Sequence, residues 1–149
     1  MATLVVDTRE TRPLAFRKTG IIEEIEVRKL DVGDYALKGF EHKIAIERKS
    51  PSDLFGTLGK GHKRFAREIE RAKDFDHFII LCEASFTDVI NKNFEGAHYS
   101  SMRGDVIIQI CYTLTMKYGV TVLFCNGRTE ASSIIRNLFK AYLKSVGAK

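Results

Sequence analysis

Apolar residues come in short, strand-length runs through the first third of the chain and at helical spacing through much of the rest. Thr3 to Asp7 is a β-branched run ending in an acid, which predicts a buried strand. Asp7-Thr8-Arg9-Glu10 breaks that pattern, and Pro13 discourages a helix start before it. Ile21 to Lys29 reads as a second strand, with Ile21, Ile25 and Val27 set among glutamates. Tyr35 to Leu37 and Lys43 to Glu47 read as the two strands of a hairpin, joined through Lys38-Gly39-Phe40-Glu41. Ser50-Pro51-Ser52-Asp53 predicts a helix start, a hydroxyl cap followed by proline at the first position, with the helix running through Leu58. Lys63 to Lys73 predicts an amphipathic helix with Phe65, Ala66, Ile69 and Ala72 on one side. His77 to Cys82 predicts a buried strand, Phe86 to Ile90 a short helix, and Asn91 to Ser101 a polar loop. Met102 to Tyr118 predicts a long helix ended by Gly119, Val120 to Cys125 the last strand, and Thr129 to Val146 a closing helix.

Strands first, then strands alternating with helices, predict one α/β domain over residues 1–149, with a mixed central sheet and helices on both faces. The chain of 149 residues has the size of one ordinary domain, and 44% hydrophobic against 29% charged residues gives it a core to bury. There is no internal repeat and no linker. No run of about 18 apolar residues is present, so no membrane span is expected. The start of the chain lacks the basic-then-apolar pattern of a secretory signal. Cys82, Cys111 and Cys125 are far apart in apolar contexts, which predicts reduced, buried thiols in an intracellular protein. A net charge of +5 permits a polyanionic partner without establishing one.

The chemistry concentrates between Leu30 and Asp53. Ile44-Ala45-Ile46 runs straight into Glu47-Arg48-Lys49, and a strand that ends in an acid and two bases serves more than packing. Side chains two apart on a strand share a face, so Glu47 and Lys49 point one way and Arg48 the other. Twelve residues separate Asp34 from Glu47, and Asp34 can meet it from the neighbouring strand. Two adjacent carboxylates repel each other, and a hard divalent cation such as Mg²⁺ or Mn²⁺ relieves that repulsion. Such a cation polarises a phosphoryl oxygen, and a lysine beside it steadies the charge that develops. The acid-x-lysine tripeptide alone is common on solvated hairpins, and the weight falls on its surroundings.

Gly33-Asp34, twelve residues, then Glu47-Arg48-Lys49-Ser50-Pro51-Ser52-Asp53 resembles the signature of the XPF/Mus81/Hef nuclease family, the ERCC4-type nuclease domain. Val6-Asp7-Thr8-Arg9-Glu10 is similar to the family's opening motif, Lys63-Arg64-Phe65 with Glu68 and Arg71 to its basic helix, and Tyr118-Gly119-Val120 with Thr129-Glu130-Ala131 to its late segment. The resemblance implies a restriction-endonuclease-like core of the PD-(D/E)xK type that cuts the DNA backbone with a divalent metal. Carried over by position, Asp34 and Glu47 are metal ligands, the backbone carbonyl of Arg48 a third, and Lys49 the catalytic lysine. Asp7 is an acid that binds the metal through water. Arg48 and Asp53 stand equally as catalytic groups or as buttresses of the site. Family members usually carry tandem helix-hairpin-helix modules, some also a helicase. Neither is found between Met1 and Lys149, which leaves the grip on DNA to a partner or a second copy.

Lys60, Lys63, Arg64, Arg67 and Arg71 give the helix after the signature a basic face for phosphate contact, with Arg9 a weaker candidate. The same residues also fit an ordinary solvated face with Glu/Arg pairs. No aromatic interleaving points to base stacking. The last two helices carry more apolar residues than one face needs, which predicts a homodimer or heterodimer through the C-terminal helices. The expectation is an Mg²⁺- or Mn²⁺-dependent endonuclease acting on branched, flapped or nicked DNA in repair, recombination or replication. The competing expectation is a non-catalytic DNA-binding or scaffold subunit.

Overall fold

In the computed structural model, residues 1–18 and 20–148 are described. The elements follow one another as β1 (Ala2–Val6), β2 (Ile22–Val27), β3 (Tyr35–Leu37), β4 (Ile44–Lys49), α1 (Pro51–Leu58), α2 (His62–Arg71), β5 (His77–Cys82), α3 (Phe86–Ile90), α4 (Gly104–Tyr118), β6 (Thr121–Phe124) and α5 (Gly127–Ser145). A one-turn 3₁₀ helix, Ala97–Tyr99, interrupts the loop between α3 and α4. The sheet has six strands in the order β2-β1-β3-β4-β5-β6. β3 is antiparallel to both β1 and β4, and the other pairs are parallel. The mixed α/β architecture is therefore the one the hydrophobic pattern predicts.

Two cores sandwich the sheet. Ala45, Phe78, Ile80 and Cys82 pack with Leu54, Phe55, Phe65, Ile107 and Cys111 under α1, α2 and α4. On the other face Leu4, Tyr35, Ile44, Ile46, Ile79 and Leu81 pack with Ala131, Ile135 and Phe139 of α5. Fully burying a side chain such as Phe55 or Phe139 stabilises the fold by roughly 1.5–3 kcal/mol. Cys82, Cys111 and Cys125 are free and buried, and burial pushes all three thiols above their ordinary range.

Element boundaries depart from the expected ones where tertiary partners intervene. β4 extends beyond Glu47 because its parallel ladder with β5 continues through Arg48↔Leu81 and Lys49↔Cys82. The charged residues thus stand on a rigid strand and not on a loop. α5 begins at Gly127, where the Glu130 carboxylate accepts the Asn126 N–H at 2.9 Å. α1 starts as predicted, with Ser50 Oγ accepting the Asp53 N–H at 3.0 Å. α5 turns Ala131, Ile135, Phe139 and Tyr142 into the core. Among the large apolar side chains left exposed, Val106, Tyr112, Met116 and Tyr118 lie on α4. No helix among the described residues is long and apolar enough to cross a membrane.

Candidate active site

Alternation along β4 separates two kinds of chemistry. Ala45 belongs to the core under α1, α2 and α4, whereas Ile44 and Ile46 belong to the core under α5. Period two then sends Glu47 and Lys49 toward α2 and Arg48 toward α5. Lys49 Nζ lies 3.0 Å from Glu47 Oε2, with side-chain exposures of 16% and 13%.

Gly33 and Asp34 form the turn before β3. Gly33 has φ +80°, and a Cβ there would stand 3.0 Å from Ala45 Cβ and 3.1 Å from Ile46 O. Only glycine lets the turn press flat on β4. Asp34 consequently donates its N–H to Ile46 O at 2.8 Å, and its Oδ2 accepts the Arg48 N–H at 2.9 Å. The Asp7 N–H donates to Asp34 O at 2.9 Å, which brings the end of β1 to the same place. Asp7, Arg9, Asp31, Gly33, Asp34, Glu47, Glu68 and Arg71 together line a cleft of about 200 Å³.

The cleft strains against its own charge. Burial first, and then the charge of Glu47, pushes the Asp34 carboxyl well above the carboxylate range. Glu68 is raised in the same way, by burial and then by Glu47. Burial alone would push the Lys49 ammonium down, but Glu47, Glu68 and Asp34 more than reverse it. Asp7 differs: burial opposes its charge, yet hydrogen bonds from Arg9 and from the Leu30 N–H at 2.8 Å hold its pKa below the usual value.

These residues suit a hard divalent cation in one respect. The donors at Asp34 and Glu47 are carboxyl oxygens in a partly desolvated cleft, and among the described residues Glu68 Oε1 is buried without a hydrogen-bond partner. Among the described residues no three His, Cys, Asp or Glu side chains close into a metal cage. A cation here would rest on the pair of carboxylates, with backbone oxygen and water completing its shell.

Glu68, named from the sequence only as part of the basic helix, is a wall of the site that the sequence did not assign. It comes from α2, shares a helix face with Arg64 and Arg71, and lines both the acidic cleft and a second hollow of about 350 Å³. That second hollow is bounded by Lys49, Ser52, Asp53, Gly56, Thr57, Gly61, Arg64 and Phe65. Asp53 is an exposed wall of it and also holds the start of α1 through its N–H. The basic residues of α2 are sorted accordingly. Arg64 and Arg71 border the clefts, whereas Lys60, Lys63 and Arg67 are exposed and line neither. Arg9 is at the acidic cleft, but it is tied to Asp7 at 2.8 Å and to Leu30 O at 2.7 Å. A larger hollow, about 720 Å³, lies between α2 and α4; its acid-lysine pair, Glu70 with Lys73 at 2.8 Å, is exposed to solvent.

The Arg48 side chain is a clamp. Its guanidinium donates to both Glu83 oxygens at 2.8 and 3.2 Å, to Glu10 at 3.4 Å and to Arg12 O at 2.6 Å. It thereby joins β4, the end of β5 and the segment that carries Asp7. Glu10 and Glu83 carry signals that no spacing rule isolates, since each becomes meaningful only as a partner of Arg48.

A mixed sheet with an aspartate at a glycine turn, facing an acid-x-lysine strand, defines the restriction-endonuclease-like class. The chain belongs to the ERCC4 domain family, whose model matches residues 6–138. It is 26% identical over 141 residues to the DNA repair endonuclease XPF of Mus musculus, covering 92% of this chain and 15% of that protein. The Cricetulus griseus counterpart is likewise 26% identical, over 140 residues, covering 91% of this chain and 15% of that protein. The chain thus spans a small part of the length of these relatives. In fold it is similar to XPF from Aeropyrum pernix, with TM-score 0.70 at 20% identity, covering 99% of this chain and 64% of that one. A complex of the Aeropyrum pernix XPF with DNA matches with TM-score 0.67 at 19% identity, covering 97% of this chain and 66% of that one.

Proposed function

We propose that this domain is a metal-dependent endonuclease that hydrolyses phosphodiester bonds in branched, flapped or nicked DNA during repair, recombination or replication. The observation that carries the reading is the meeting of Asp34, Glu47 and Lys49, all half-buried, at the C-terminal end of β4, with Glu47 and Lys49 3.0 Å apart. Asp34 and Glu47 would hold Mg²⁺ or Mn²⁺, with the Arg48 carbonyl as a further ligand and Asp7 acting through water. The bound cation supplies positive charge to a phosphoryl oxygen and acidifies a neighbouring water.

The rest belongs to the protein. Lys49, which pairs with Glu47 here, would be freed when that carboxylate holds the cation, and its ammonium would then face the scissile phosphate and offset the developing charge. Arg64 and Arg71 hold backbone phosphates on either side of Glu68, and Lys60, Lys63 and Arg67 add looser, salt-dependent attraction. Asp53 and the Arg48 guanidinium act as buttresses. Pairing with a second copy or a related chain, through α4 and its exposed Tyr112 and Met116, is part of the same proposal, as is an intracellular setting for the three reduced thiols.

The test is cleavage of flap, fork, duplex and single-stranded substrates in Mg²⁺, Mn²⁺ or EDTA. Metal-dependent cutting is expected for the wild type, and its loss for Glu47→Ala and Lys49→Ala. Cutting that survives both substitutions overturns the assigned site. Binding without cutting under every metal would instead identify a scaffold subunit.

A further inference from the structure

The loop between α3 and α4 carries an aromatic pair, His98 and Tyr99, that reaches the wall of the second hollow through Gly96 and Ser52. Tyr99 is 80% exposed, and its ring lies 4.1 Å from that of His98, with the planes 37° apart. The two rings are in tilted contact, so His98 covers part of one side of the Tyr99 ring and leaves most of it to solvent. Gly96 joins the pair to the site. Its φ is +85°, and a Cβ there would stand 3.1 Å from Ser52 Oγ and 3.6 Å from Tyr99 Cδ2. The glycine is therefore wedged between the Tyr99 ring and the first turn of α1. Ser52 in turn lines the hollow that also contains Lys49, Asp53 and Arg64.

The loop is held in place from behind. Phe94 packs on Phe55 with ring centroids 5.0 Å apart. Lys92 Nζ donates to Ser100 O at 2.6 Å and lies 5.7 Å over the Phe55 ring. The Ser100 Oγ accepts the Met102 N–H at 3.2 Å. A tethered loop that presents an exposed ring near a hollow bordered by Lys49 and Arg64 has the makings of a base-binding surface. Aromatic faces accept any nucleobase, so such a contact reads the unpaired state of a nucleotide and not its identity. A paired base keeps its faces inside the duplex.

We propose that Tyr99, backed by His98, is a stacking platform for an unpaired nucleobase of the nucleic acid whose backbone enters the Lys49–Arg64 hollow. The proposal rests on the DNA-cleaving reading of the neighbouring cleft and adds a preference for substrates with a single-stranded arm.

The experiment measures binding of the full chain to a flap substrate carrying 2-aminopurine in its unpaired arm, and to a blunt duplex of matched sequence. Ca²⁺ is present to neutralise the acids. Wild type and Tyr99→Phe should quench the 2-aminopurine fluorescence on binding. Tyr99→Ala should lose the quench and bind the flap about 5- to 100-fold more weakly, the range expected for one base-aromatic stack. All three should bind the duplex alike. A quench that persists in Tyr99→Ala, or an equal loss on flap and duplex, overturns the platform while leaving the nuclease reading in place. Failure of the wild type to bind any DNA overturns the platform and the DNA reading together. Because Tyr99 is a surface ring, the Phe and Ala variants should keep the wild-type melting temperature.

Discussion

The ammonium of Lys49 stands 3.0 Å from the Glu47 carboxylate, on the side of β4 that faces Glu68 of α2. Each partner masks the other, and a bound cation would have to displace Lys49 from Glu47. Lys49→Met should reduce cleavage by at least about 100-fold, the scale for loss of one preorganised charge at a reacting phosphate. It should also enlarge the melting-temperature gain on adding Mg²⁺, because the acids then lack their internal counter-charge. Cleavage within a few-fold of wild type would sink the assignment of Lys49.

Asp34 sets a pH dependence of stability. Its carboxyl is raised by burial and by Glu47, so the folded protein holds a proton that the unfolded chain has already released. The associated stability is complete below the ordinary aspartate pKa and is lost as pH rises through the elevated folded value. Metal-free protein should therefore lose melting temperature across that window, and Asp34→Asn should flatten the fall. The check is thermal unfolding in EDTA at a series of pH values; equal slopes for variant and wild type would count against it.

Arg48→Ala should act mainly on stability. Its guanidinium and the two glutamates it bridges are only 12–14% exposed. Removing one partner of a largely buried ion pair costs about 3–5 kcal/mol. Arg48→Lys should recover little, because a single ammonium cannot replace the two-pronged contact with Glu83. Denaturant unfolding measures both, and a loss below about 1 kcal/mol for Arg48→Ala would show that the clamp is weak.

Gly33→Ala should separate geometry from chemistry. The new methyl meets Ala45 Cβ and Ile46 O at 3.0 and 3.1 Å, and the backbone sits at φ +80°. Left-handed backbone costs an alanine about 1–2 kcal/mol, and crowding of a packed contact about 1–3 kcal/mol more. Cleavage should fall as well, since the turn that presses Asp34 on β4 must shift. Retention of both stability and activity would mean that the turn relaxes freely.

Arg64→Ala and Arg71→Ala should each reduce the salt dependence of DNA affinity by about one unit of slope, as expected for the loss of one phosphate contact. Lys63→Ala should have a smaller effect, since Lys63 borders neither cleft. Fluorescence anisotropy over a range of salt concentrations reads the slopes. Equal slopes for all three variants would mean that α2 does not grip phosphate along the face of Glu68.

Much of the fold was legible because local rules coincide here with tertiary demands. Ser50-Pro51 starts α1 by local chemistry alone, the Ser50 hydroxyl accepting the Asp53 N–H, and period two on β4 puts Glu47 with Lys49 and Arg48 opposite wherever the strand lies. His77 to Cys82 and Phe86 to Ile90 match their predicted limits. The expected dimer surface on the last two helices needed refinement. Apolar spacing on α5 looks the same whether it meets a partner or its own sheet, and the sheet takes it.

The sequence by itself determined the fold class, the glycine-aspartate turn, the acid-x-lysine strand and the basic character of α2. These depend on spacing within one element, and spacing is what a linear string records. Only the tertiary structure decided that Glu68 of α2 meets the cleft, that Arg48 clamps Glu10 and Glu83, and that Gly96 packs between Tyr99 and Ser52. Each of those pairings joins elements far apart in the chain. Their meeting is set by how α2 and the α3–α4 loop pack on the sheet, through Phe65 and Phe94, and not by any periodicity of the polar residues themselves.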